Sequence, residues 1–293
     1  MIIKQTAVLI IFSLILVFSV IPNVVKADNQ LSSEERIELL FKIQNLLEEV
    51  LELQQRLEVI SSTNTTRDPY KSKFFTFPYE AIYFVDDLKL VNSDGSKLVR
   101  SDDEKLFDLF VGVVGENEVD GLVSEWRIFY DGKIDTGAYV ESINNMTSWI
   151  VGVNRENYQP NDRRNTESFV NLYIHEYLHI LLTKYPSFKK NYKEKFWTEA
   201  DIANQLAVEK VDIKDRFSYT SKYYNNNEDR FVSDYATVSV DEDLAETFVF
   251  FVRGEIPSGN SIEEQKIRYF YTEPDFVEER QRLRNNLKGL NVF

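Results

Sequence analysis

Between residues 33 and 60, apolar side chains recur at alternating spacings of four and three: Leu39, Ile43, Leu46, Val50, Leu53, Leu57 and Ile60. That heptad seam, sustained for about three repeats, predicts an N-terminal helix within 28–60, opened by the capping pattern Ser32-Ser33-Glu34-Glu35. The seam suits either self-association through residues 33–60 or packing against the rest of the chain. Further apolar residues off the seam (Leu40, Phe41, Leu47, Leu51) lean towards packing. A polar stretch rich in Ser, Thr and Asn follows over 61–73 and reads as a linker.

From residue 74 the pattern changes. Ala81–Val85 and Lys89–Val91 read as strands, with Asn92-Ser93-Asp94-Gly95 as a turn. A helix is expected from Ser101 to about Val114. Strands are expected at Trp126–Tyr130, ahead of an Asp131-Gly132 turn, and at Ser148–Val153. A long apolar helix is expected around Phe169, Tyr173, Tyr177, Leu178, Ile180, Leu181 and Leu182, started by Asn165 or Thr166 and closed at Pro186. Leu244, Phe248 and Phe251 stripe another helix, capped by Asp241 and stopped at Gly254. Helices opened at Ser261 and running from Asp275 to about Leu287 complete the chain. Strands with one helix, followed mostly by helices, predict a single α+β domain over 74–293.

The N-terminus adds a compartment. A short charged start, Met1-Ile2-Ile3-Lys4, precedes an apolar run from Ala7 to about Ile21 and small or β-branched residues up to Ala27. This describes a secretory leader over 1–27, cut after Ala27, and predicts a secreted or extracytoplasmic protein. Left uncut, the same run would tether the chain to a membrane. The absence of cysteine leaves an exported fold to rest on core packing and on any metal it holds. The formal net charge of −14, spread along the chain, argues against nucleic acid and anionic membrane surfaces as partners.

The sharpest chemical signal is the histidine content. The chain has two histidines, and they stand four apart in His175-Glu176-Tyr177-Leu178-His179, the H-E-x-x-H pattern of zinc peptidases. On a helix, positions i and i+4 share a face, so both imidazoles aim at one point, and Glu176 beside them is placed to act as general base on a metal-activated water. Two buried imidazoles and a carboxylate without partners would be costly, and a metal resolves that cost. With no further histidine and no cysteine, the third ligand must be a carboxylate. Glu242 and Glu246, one turn apart on the later helix, supply a pair: one to bind metal, the other to accept a hydrogen bond from a ligand histidine.

His-Glu-Tyr-Leu-His followed by Tyr235, Glu242 and Glu246, with the local run Glu242-Asp243-Leu244-Ala245-Glu246-Thr247-Phe248, resembles the catalytic core of the anthrax lethal factor family of zinc peptidases, which includes the Pro-Pro endopeptidases. The resemblance covers about a third of the chain. It implies a zincin-like fold, Zn²⁺ held by His175, His179 and Glu242, Glu246 behind a ligand histidine, and Tyr235 as the donor that stabilises the oxyanion. It implies endopeptidase activity on a peptide or protein substrate. One departure stands out: the segment from Ser187 to Arg230 is longer than that family suggests, and its Glu199 and Asp201 are rival ligands to Glu242. The strand near Trp149–Asn154 is expected at the sheet edge, where zincins pair with extended substrate. Two other functions compete: a non-catalytic zincin-shaped binding module on a coiled-coil stalk, and a metal hydrolase acting on a cell-wall amide.

Overall fold

The structure, a computed structural model, describes residues 79–92, 99–130, 136–143, 146–156, 158–159, 162–211 and 213–292. The leader, the heptad helix, the linker and most of the two predicted turns at 92–95 and 131–132 lie outside the described residues. The described part is α+β: a five-stranded mixed sheet and nine α-helices.

The sheet comprises β1 (Tyr79–Asp86), β2 (Lys89–Asn92), β3 (Val123–Phe129), β4 (Ala138–Ile143) and β5 (Ser148–Asn154), in the order β2-β1-β3-β5-β4. β3 and β5 run parallel, and the other neighbours are antiparallel. The β1–β2 hairpin turns at Asp87 and Leu88, both at positive φ, the twist that a two-residue connection requires. β5 is therefore internal, paired with β3 on one side and β4 on the other, which corrects the expectation that Trp149–Asn154 forms the edge. Its run Trp149-Ile150-Val151 is fully buried, as a strand paired on both sides should be, and continuous apolarity was the signal against an edge position. Among the described residues the strand order ends in β2 on one side and β4 on the other, and β4 is the strand the sequence reading missed. Gly152 makes the pairing possible, because any Cβ there would fall within the Tyr139 ring lying across it from β4.

Helix α1 (Ser101–Val114) packs on one face of the sheet, and α2 (Glu116–Val119) is a single turn after it. Trp126 of β3 meets Phe107 and Phe110 of α1 at 5.3 and 5.5 Å between ring centroids, and Tyr173 of the long helix α3 (Arg163–Leu182) at 6.2 Å. Each such buried aromatic contributes about 2–3 kcal/mol of apolar burial, so this cluster fixes α3 against the sheet. α3 starts where Asp162 accepts bonds from the Arg164 and Asn165 amides; the cap is Asp162, not Asn165 or Thr166. It stops at Thr183, and Pro186 opens the next helix instead of merely ending this one.

The long segment between the two predicted site helices folds as α4 (Pro186–Phe196), α5 (Glu199–Val208) and α6 (Ile213–Asn225). A 3₁₀ turn at Tyr235–Thr237 leads into α7 (Val240–Arg253), capped by Ser239 rather than Asp241. α8 (Ile262–Phe270), opened by the Ser261/Glu264 capping box, and α9 (Pro274–Gly289) close the fold. A second aromatic core of Phe188, Phe248, Phe251, Phe270 and Phe276 joins α4, α7, α8 and α9. α7 therefore lies between this core and α3, with its first turns against the His175–His179 stretch. Among the described residues, no helix is long and apolar enough to cross a membrane.

Candidate metal centre

α3 is buried through the middle of its length, and His175 and Glu176 are each about one-twentieth exposed. The i, i+4 spacing brings the two imidazoles together with 3.2 Å between their Nε2 atoms. α7 crosses beside them and places Glu242 Oε2 at 3.0 Å from His175 Nε2 and 3.6 Å from His179 Nε2. Among the described residues these three side chains form the one group able to hold a metal ion.

The dimensions suit a small divalent cation. Tetrahedral ligands bonded at about 2 Å stand about 3.3 Å apart, and the three observed separations straddle that value. A point roughly 2 Å from all three atoms exists just off their plane.

Hydrogen bonding agrees. His175 Nδ1 lies 2.8 Å from Glu246 Oε1. With the Glu246 carboxylate as acceptor, Nδ1 is the donor, and in the neutral ring Nε2 then turns a lone pair towards His179 and Glu242. Glu242 Oε2 is buried and has no hydrogen-bond partner beyond the two imidazoles it approaches. Three lone-pair atoms facing one another in a buried site is costly unless positive charge sits between them.

The electrostatics point the same way. Burial would lower the proton affinity of His175, yet its bonds to Glu242 and Glu246 win and raise it. His179 is likewise raised, burial being outweighed by the Glu242 charge and hydrogen bond. Glu242 is pushed well below the usual carboxylate range: burial opposes ionisation, but the two imidazoles overcome it. The carboxylates that raise the proton affinity of both rings would favour a bound cation in the same way. Glu176 goes the other way. Burial raises its pKa against the lowering effect of the two histidines, which favours its accepting a proton.

Tyr235 lies on the 3₁₀ turn with its ring centroid 5.9 Å from that of His175. Half of its surface is exposed, while its hydroxyl is desolvated near Glu242, Glu176 and Glu246, all of which raise its pKa. It remains a hydrogen-bond donor across the physiological range.

The rivals are elsewhere. Asp201 forms the capping box of α5 with Thr198, accepts from Tyr223 at 2.8 Å and pairs with Arg230 at 2.6 Å. Glu199 is an exposed residue in the first turn of the same helix. The signal for Asp201's real task was in the sequence: Thr198-Glu199-Ala200-Asp201 is a capping pattern. Ser233 went unnoticed in the sequence. It donates to Glu246 Oε2 at 2.8 Å, a contact with no sequence signature because it joins a loop to a helix thirteen residues on.

No family model matches the chain, and neither a curated protein nor a solved structure matches it.

Proposed function

We propose that the chain is a zinc-dependent endopeptidase of the zincin type, with His175, His179 and Glu242 as metal ligands. The observation that carries this reading is the convergence of those three lone-pair atoms at metal-ligand spacing, with the buried carboxylate of Glu176 adjacent. The donor set of two neutral imidazoles and one carboxylate is a set zinc uses in hydrolytic sites. When bound, the ion would supply Lewis acidity towards a scissile carbonyl and lower the pKa of water.

The protein's own residues supply the rest. Glu176 accepts the proton of the attacking water and returns it to the leaving amine, a cycle its raised pKa makes easier. Tyr235 donates from its hydroxyl to the carbonyl oxygen as negative charge develops there. Glu246 fixes the ring orientation and tautomer of His175. Secretion rests on the leader pattern of residues 1–27. The buried general base favours this reading over a non-catalytic binding module, in which Glu176 would be a buried carboxylate kept at a cost without use.

The test is metal analysis of the purified protein followed by cleavage of a peptide library, with and without chelator, for wild type and Glu176→Gln. One equivalent of zinc, chelator-sensitive cleavage, and a variant that keeps zinc while losing about 10²–10⁴ in kcat are expected. A metal-free protein, or full turnover by Glu176→Gln, overturns the proposal.

A further inference from the structure

Glu246 spends both carboxylate oxygens. Oε1 takes the His175 ring at 2.8 Å, and Oε2 takes the Ser233 hydroxyl at 2.8 Å. The Ser233 oxygen in turn accepts the Ala236 amide at 3.1 Å. The directions are forced. A backbone N–H only donates and a carboxylate only accepts, so the serine proton must lie towards Glu246 and its lone pair towards Ala236. One hydroxyl therefore joins two parts of the site: the carboxylate that holds the His175 ring, and the backbone of the residue directly after Tyr235.

Other bonds hold the flanks of this turn. Asn204 donates to the Thr237 carbonyl at 2.9 Å, and Ser221 donates to Asp234 at 2.7 Å. Neither reaches the metal ligands. Among the described residues, Ser233 is the side chain that bonds to both the Tyr235 turn and the ligand-orienting carboxylate.

We propose that Ser233 is a positioning residue that couples the seating of His175 on the metal to the placement of Tyr235. This inference rests on the peptidase reading above and extends it to a residue that touches neither metal nor substrate. The bond to Glu246 keeps that carboxylate from rotating away from Nδ1. The bond from Ala236 pulls the 3₁₀ turn against α7, which holds the Tyr235 ring over the histidine.

The experiment compares Ser233→Ala, Ser233→Thr, Glu246→Gln and the double variant Ser233→Ala/Glu246→Gln. Zinc affinity is measured by competition with a chromophoric chelator, cobalt-substituted protein is compared by its visible absorption, and kcat and KM are measured at saturating zinc. Ser233→Ala should weaken zinc by about 10–100-fold, alter the cobalt spectrum, and lower kcat with KM nearly unchanged. Ser233→Thr, which retains the hydroxyl, should restore affinity to within a few fold of wild type. In the Glu246→Gln background the alanine substitution should cost little further zinc affinity, because the path to the metal is already cut. Unchanged affinity and spectrum in Ser233→Ala, a threonine variant no better than alanine, or full additivity in the double variant would overturn the proposal. Failure of the peptidase reading shows separately, as wild-type protein that binds no zinc or cleaves nothing.

Discussion

Asp243, the residue directly after Glu242, belongs to a buried charge pair, and the cost of breaking that pair can be worked out. Asp243 and Lys266 are both fully buried, 2.7 Å apart. Asp243 also accepts from Trp197 Nε1 at 2.7 Å, and the ammonium lies over the Phe231 ring at 3.8 Å. The ammonium approaches off the hydrogen-bonding direction, so the contact is chiefly ionic. At an effective dielectric of about 20, the attraction at this distance is about 6 kcal/mol before desolvation. Burial consumes much of it: burial lowers the proton affinity of Lys266 despite Asp243 beside it, and raises that of Asp243 despite Lys266. Lys266→Met preserves the length of the stem and removes the charge, leaving Asp243 without its cation. Loss of one partner from a buried pair costs about 3–5 kcal/mol. The penalty has a ceiling of about 4 kcal/mol at pH 7, because beyond that the carboxyl takes up a proton. We therefore expect about 3–4 kcal/mol of destabilisation, or roughly 6–16 °C in Tm for a domain of this size. The pH dependence identifies the cause. In the variant, the folded-state pKa of Asp243 lies above its unfolded value, so the protonated native form is favoured at low pH. The penalty should be largest near neutrality and shrink as pH falls towards the unfolded value near 4. Denaturant unfolding of wild type and Lys266→Met at a series of pH values measures this. A penalty under 0.5 kcal/mol, or one that does not change between about pH 7 and pH 5, would refute the reasoning.

Three further outcomes separate the roles of other residues. Glu242→Ala should remove most bound zinc while Glu199→Ala leaves it intact; zinc loss in the Glu199 variant alone would reassign the third ligand. Asp201 is held below its usual pKa: burial opposes this, but the Thr198 and Tyr223 hydrogen bonds and the Arg230 charge outweigh it. Its stabilisation is therefore present above the unfolded value of about 3.9 and lost as pH falls through the folded value. Asp201→Asn should cost about 1–3 kcal/mol at pH 7 and flatten the acid limb of the stability curve below about pH 4; an unchanged acid limb would refute the assignment. Gly152→Ala should destabilise the β4–β5 pairing by at least about 1–3 kcal/mol, because the added methyl occupies space held by the Tyr139 ring, and retention of wild-type Tm would contradict that packing.

What the sequence determined by itself is local in origin. The H-E-x-x-H spacing places two imidazoles on one helical face wherever the helix goes, because 3.6 residues per turn makes that a property of the helix alone. Glu242 and Glu246 form a pair one turn apart for the same reason, and helix limits at Pro186, Gly254 and Ser261 follow from proline, glycine and capping chemistry. The α+β class was legible from the change of period along the chain. Which carboxylate meets the histidines depended on how α7 crosses α3, and that crossing is set by two aromatic cores assembled from residues far apart in sequence, such as Trp126 with Tyr173 and Phe188 with Phe276. It puts Glu242 Oε2 beside both Nε2 atoms and leaves Glu246 for Nδ1, a division that two glutamates one turn apart do not specify. β4 gave no clear strand signal because Ala138-Tyr139-Val140-Glu141-Ser142-Ile143 is a short run with little apolar continuity, and its place in the sheet comes from pairing with β5. The placement of Asp201 in a capping network and of Ser233 behind Glu246 was decided by loop contacts, where neither spacing nor periodicity carries information.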